Sequence, residues 1–283
     1  MSPLQRVTGS GAALRALWPE YLIEGWALGM FMISAGVFAT LLGYPGSPLL
    51  QFLPGAGLRR ALIGIAMGLT AIALIYSPWG KRSGAHMNPA VTLTFLRLGK
   101  IGSWDAMFYI AAQFLGGTAG VLVAAAMLRD WFTGSPIHYV ATLPGAPGPA
   151  VAFAAEFGIS LLLMMVILYV SNQARLAKFT GICAGLLVAT YITVEAPLSG
   201  MSMNPARSFA SAAPAGLWDH LWIYFTAPVL GMQAAGAWYA WRRGAQAVGC
   251  AKLLHTPDQR CIHCGYNPTR ASRQATTATG ALQ

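Results

Sequence analysis

The chain is poor in charge. Only 9% of its 283 residues are Asp, Glu, Lys or Arg, and just 8 of these are acidic, against 56% hydrophobic residues. A soluble globular domain carries about 25% charged residues. The shortage excludes that class and, with a mean hydropathy of +0.55, points to a membrane protein. The net charge of +10 comes from basic residues scattered through loops and the tail. No dense basic run is interleaved with aromatics, so nucleic acid is not an expected partner. Cysteine is also scarce. Four are too few for a disulfide framework, and Cys183, inside an apolar run, reads as inert packing. No nucleophile–base pair or nucleotide loop is visible, so no enzymatic activity is expected. A cleavable signal peptide is not expected either: Met1 to Arg15 is polar, and the first apolar stretch is long enough to span.

What is present is a set of long apolar runs. A spanning helix needs about 20 mostly apolar residues, and six segments serve: 20–42, 58–76, 104–128, 150–170, 179–196 and 218–241. Segments 44–57 and 134–149 are rich in Gly and Pro and read as outer connections. With the N-terminus inside, fourteen Lys and Arg fall on inner segments, among them Arg6, Arg270 and Arg273; only Arg59, Arg60, Arg129 and Arg207 fall outside. That bias predicts two cytoplasmic termini.

One sequence feature is duplicated. Ser83-Gly84-Ala85-His86-Met87-Asn88-Pro89-Ala90 returns as Ser199-Gly200-Met201-Ser202-Met203-Asn204-Pro205-Ala206, six of eight identical at an offset of 116. The apolar stretches that follow each copy are too short to span and suit re-entrant half-helices. Each half holds three spans, an odd number, so the second half enters the membrane inverted. The two copies then dip in from opposite sides and meet near the midplane. Asn is a strong N-cap, and Pro suits the next position, where its missing N–H costs nothing. Each cap oxygen would hold the first turn while the amide NH₂ stays free to face a cavity. Two opposed caps offer two donors and two positive dipole ends at one point, which would grip a lone pair and repel cations.

These residues resemble the aquaporin and glycerol-facilitator family of channels, the major intrinsic proteins, over about residues 20–241. The resemblance rests on Asn88, Pro89 and Ala90, on Asn204, Pro205 and Ala206, on Glu24 and Glu156 in the first and fourth spans, and on Arg207. It implies an all-α membrane protein with six transmembrane helices and two re-entrant half-helices in an inverted repeat, usually a homotetramer with a pore in each subunit. The expected organisation is an N-terminal cytoplasmic segment (1–19) and a channel domain (20–242) with halves at about 20–128 and 150–241. A cytoplasmic tail (243–283) follows. A bacterial inner (plasma) membrane is the expected location. Glu24 and Glu156, costly inside a span unless turned inward, would support the two loops.

The resemblance also implies a selectivity filter at Ile192, Met201, Arg207 and either Met67 or Gly68. Water-selective members carry a His where this chain has Ile192. Without the imidazole, one charged corner faces apolar walls, which fits solutes with both a hydroxyl and a hydrocarbon side. A filter passing water and small neutral solutes such as glycerol, but not ions or protons, is therefore expected. A strictly water-selective pore and a structural or junctional membrane protein on the same fold are the alternatives. His86 either lines the inner mouth or bonds backbone. In the tail, Cys250, His255, Cys261 and Cys264 have the donor set of a structural zinc site, with a redox or fortuitous cluster as the competing reading. Transport itself calls for no cofactor.

Overall fold

The computed structural model describes residues 9–267; Arg6, Arg270, Arg273 and the outer parts of both expected terminal segments lie outside the described residues. Within them the chain is helical, without strands. The first half comprises α1 (Ser10–Gly43), α2 (Leu49–Phe52), α3 (Ala56–Tyr76), α4 (Pro78–Ser83), α5 (Pro89–Arg97) and α6 (Ser103–Leu128). After α7 (Asp130–Thr133), the second comprises α8 (Pro149–Ser171), α9 (Thr180–Val194), α10 (Ala196–Ser199), α11 (Pro205–Ala215) and α12 (Leu221–Arg243).

Two boundaries depart from the sequence reading. Helix α1 starts at Ser10, ten residues before the expected span. The stretch Ala12-Ala13-Leu14-Arg15-Ala16-Leu17 is made of strong helix formers, Ala13 and Leu17 are buried, and the Tyr21 hydroxyl donates to the Ala13 carbonyl (3.2 Å). At the other end, five described helices are long and apolar enough to cross a membrane, and α12 is not among them. Its 23 residues reach about 34 Å at 1.5 Å per residue, so length is not at fault. Small, aromatic and polar residues such as Gly231, Trp222 and Gln233 replace aliphatic ones.

Packing repeats between the halves. Helix α1 lies along α6 as α8 lies along α12, and α3 of the first half packs on α9 of the second. Each half-helix leans on the last helix of the opposite half, α5 on α12 and α11 on α6. The α1–α6 contact depends on missing side chains: a Cβ at Gly116 would lie 2.0 Å from the Gly25 carbonyl oxygen. Without a water-driven hydrophobic force between spans, such backbone contact supplies the association.

The outer surface is apolar, with Leu69, Leu115, Met127, Leu186 and Val194 all more than half exposed. Exposed tryptophans ring both ends of the bundle, Trp18, Trp79, Trp104 and Trp241 at one and Trp131, Trp218 and Trp222 at the other, as expected of side chains at a membrane–water boundary.

Candidate pore and its inner mouth

The two half-helices start as the motif predicts. Asn88 Oδ1 accepts from Ala90 N–H (2.8 Å), and Asn204 Oδ1 accepts from the N–H groups of Ala206 (3.0 Å) and Arg207 (3.2 Å). Both Asn are extended, and Pro89 and Pro205 open the helices. The amides, however, are not wholly free. Asn88 Nδ2 donates to the Met203 carbonyl and Asn204 Nδ2 to the Met87 carbonyl, each at 2.7 Å. The loops are close enough that each Asn satisfies the carbonyl preceding the other. An amide has two protons, which leaves one per Asn toward the cavity that both line.

Glu24 and Glu156 brace the two loops alike. Glu24 Oε1 accepts from Ser83 Oγ (2.7 Å) and His86 N–H (3.0 Å), and its Oε2 from Met87 N–H (2.6 Å) and Gln113 Nε2 (3.0 Å). Glu156 Oε1 accepts from Ser199 Oγ and Ser202 N–H, and its Oε2 from Met203 N–H, all at 2.7 Å. The bracing is needed because Ala85, Met87, Met201 and Met203 have φ between 49° and 56°. A non-glycine residue held there costs on the order of 1–3 kcal/mol. Two tyrosines missed in the sequence complete the brace: Tyr109 donates to the Ser83 carbonyl (2.7 Å) and Tyr224 to the Ser199 carbonyl (2.6 Å). No motif marks them, since each lies about two dozen residues beyond its loop.

Between the halves lies a cavity of about 320 Å³. Met67, Ile192, Met201 and Arg207 all line it. Gly68 faces the other way, against α9, where a Cβ would lie 2.5 Å from the Gly185 carbonyl oxygen. Arg207 Nη1 donates to the Val140 carbonyl (2.7 Å). The connection after α7 therefore returns to the cavity, which Val140 and Ala141 also line. Arg60 is a second cation on the wall, its Nε held by the Thr193 carbonyl (2.8 Å). Sequence reasoning saw Arg60 only as an outer charge, because its partner lies 133 residues away. His86 does both things left open for it: it lines the cavity and bonds Thr92 Oγ1 (3.0 Å) and the Ala251 carbonyl (2.7 Å).

The family model of the major intrinsic proteins matches residues 16–239. The chain belongs to this family. Among curated relatives, the NIP4-1 protein of Arabidopsis thaliana is 38% identical over 205 residues, covering 72% of this chain and 70% of its own. Aquaporin NIP1-3 of Oryza sativa subsp. japonica is 36% identical over 209 residues, covering 74% and 68%. The X-ray structure of the aquaglyceroporin from Plasmodium falciparum shares the fold at a TM-score of 0.67 and 19% identity, over 78% of this chain and 95% of that one. As a major intrinsic protein the chain is an integral, multi-pass membrane channel for water and small neutral solutes, not an enzyme.

The segment beyond the family match folds against the inner mouth. Its Cys250, His255, Cys261 and Cys264 bring one ligand atom each to within 4.8 Å of one another. Cys250 Sγ lies 3.2 Å from Cys261 Sγ, and Cys264 Sγ lies 3.3 Å from His255 Nε2. Hydrogen bonding from Cys250, and then from His255, holds the Cys261 thiol well below its ordinary range, while the same pairing pushes Cys250 up. Cys250 also lowers Cys264, to about 6. Burial, with His86 alongside, keeps His263 down at about 4, a neutral ring on the Ser83 carbonyl (3.1 Å). Thiolates and imidazole are the donors tetrahedral zinc takes.

Proposed function

We propose that this channel passes water and small hydroxyl-bearing solutes of the glycerol type and rejects ions and protons. Asn88 and Asn204 would be the midpoint donors, and Met67, Ile192, Met201 and Arg207 the filter. The observation that carries the reading is the reciprocal pairing of the two Asn, which turns both positive half-helix ends and one spare amide proton each toward one cavity. A permeating oxygen accepts there, whereas a cation meets a positive field; this is the general account of such pores. Arg207 adds a fixed charge beside the apolar Ile192, so the filter favours molecules with one polar and one hydrocarbon side. The structural or junctional alternative leaves both Asn and Arg207 without a task.

The finer assignments belong to the same proposal. The channel domain would be 20–242, with halves at 20–128 and 150–241, followed by the tail. Glu24 and Glu156 would be loop supports. The bias of basic residues would put both termini in the cytoplasm. The plant origin of the two curated relatives gives no support to a bacterial inner membrane. A homotetramer with one pore per subunit comes from the resemblance, and sizing in detergent tests it. A structural zinc ion on Cys250, His255, Cys261 and Cys264 would be a resident of the tail, with no part in transport chemistry.

Stopped-flow scattering on chelator-treated proteoliposomes tests the solute reading. Water shrinkage and glycerol re-entry should both run well above protein-free vesicles. Fast water with glycerol at the lipid rate would establish the strictly water-selective alternative instead.

A further inference from the structure

The tail crosses the inner mouth. At one edge, Gly249 N–H donates to Asn172 Oδ1 (2.7 Å), just after α8. At the other, Leu253 N–H donates to the Gly84 carbonyl (3.1 Å), and Lys252 Nζ to the Lys81 carbonyl (2.7 Å), both beside the first motif. At this second anchor the Leu253 side chain, 4% exposed, enters the lining of the same cavity as Ala85 and His86. An aliphatic side chain there removes hydrogen-bond partners from the water path, and hydrophobic constrictions close pores by dewetting.

The segment has no regular structure to hold it. Residues 248–267 form no helix or strand, yet Val248, Ala251, Leu254 and Ile262 are packed into the main core. Units this small need a cross-link. Leu253 sits between Cys250 and His255, so fixing those two ligand atoms fixes Leu253. Tetrahedral zinc with Zn–S near 2.3 Å sets its sulfurs about 3.8 Å apart, between the 3.2 Å Cys250–Cys261 separation and the 4.8 Å within which all four ligand atoms lie.

We propose that a zinc ion on Cys250, His255, Cys261 and Cys264 pins this segment as a plug, with Leu253 stopping the inner mouth, and that loss of the metal releases it. The proposal rests on the reading of the chain as a conducting pore. Its setting lies outside the region that the family model matches, which ends at residue 239.

The experiment pairs metal analysis with water permeability of the full chain in proteoliposomes, zinc-loaded and chelator-treated. One zinc per chain is expected, with a several-fold rise in permeability on its removal and reversal on adding zinc back. Leu253→Ala should bind zinc equally and conduct at the released rate in both states. The double variant Cys261→Ser, Cys264→Ser should hold no zinc and conduct at that rate. Equal, fast permeability of loaded and stripped wild type would overturn the plug and leave the channel reading standing. No zinc after loading, or a Cys250–Cys261 disulfide in its place, would overturn the metal switch. Lipid-rate permeability in every state, Leu253→Ala included, would overturn the channel reading and the plug together.

Discussion

Glu24 and Glu156 each accept from two consecutive backbone N–H groups of their loop. Replacing either by Ala orphans two backbone N–H groups, of residues 86 and 87 or 202 and 203, buried except for the half-buried Met87. At about 1–3 kcal/mol per buried unsatisfied group, several kcal/mol of stability should go, and the left-handed loop residues lose their restraint. Thermal melting of purified Glu24→Ala and Glu156→Ala should show large drops; wild-type melting in both would remove the bracing role. Arg207 is proposed to act through its charge. Arg207→Val should keep neutral-solute flux while opening a proton or cation leak, read with a trapped pH dye, and an unchanged leak would count against it. These residues were legible because capping and in-span charge are local or unusual. Arg60, Tyr109 and Tyr224 were not, because their significance comes only from carbonyls brought to them by tertiary contact. The carbonyl acceptor of each Asn amide was hidden for the same reason: Met87 and Met203 lie in opposite halves.

At the scale of the element, the helix pairs close on backbone. Gly116→Ala puts a Cβ 2.0 Å from the Gly25 carbonyl oxygen, whereas a Cβ at Gly158 in α8 meets nothing within 4 Å. Gly116→Ala should therefore lower melting and yield sharply, and Gly158→Ala, with its gain in helix propensity, should not. Equal melting of the two would contradict the close α1–α6 seam. Gly116 and Gly120 stand four residues apart in the sequence, but which helix each faces is set by tertiary contact. Long apolar runs gave the span positions well. The start of α1 was obscured because Arg15 reads as polar while its neighbours favour helix. Segment 134–149 was legible as a Gly- and Pro-rich connection, but not as a wall of the cavity through Val140 and Ala141.

Across the whole molecule, the two halves repeat the same solution: a carboxylate-braced loop, an Asn cap, a half-helix resting on the other half. Duplication made that inversion readable from the sequence. The tail is not duplicated, and its docking is set by contacts 165 to 180 residues apart, His86 to Ala251 and Ser83 to His263. The cluster of ligands could be seen; its position under the pore could not.

The central proposal is that the cavity between the Asn caps conducts neutral molecules and not charge. The most direct measurement follows water, glycerol and proton flux together in chelator-treated proteoliposomes of the wild-type chain. Water and glycerol rates well above lipid alone are expected, with proton leak no greater than lipid. Solute rates equal to those of protein-free vesicles, or a proton leak rising with the solute flux, would contradict it.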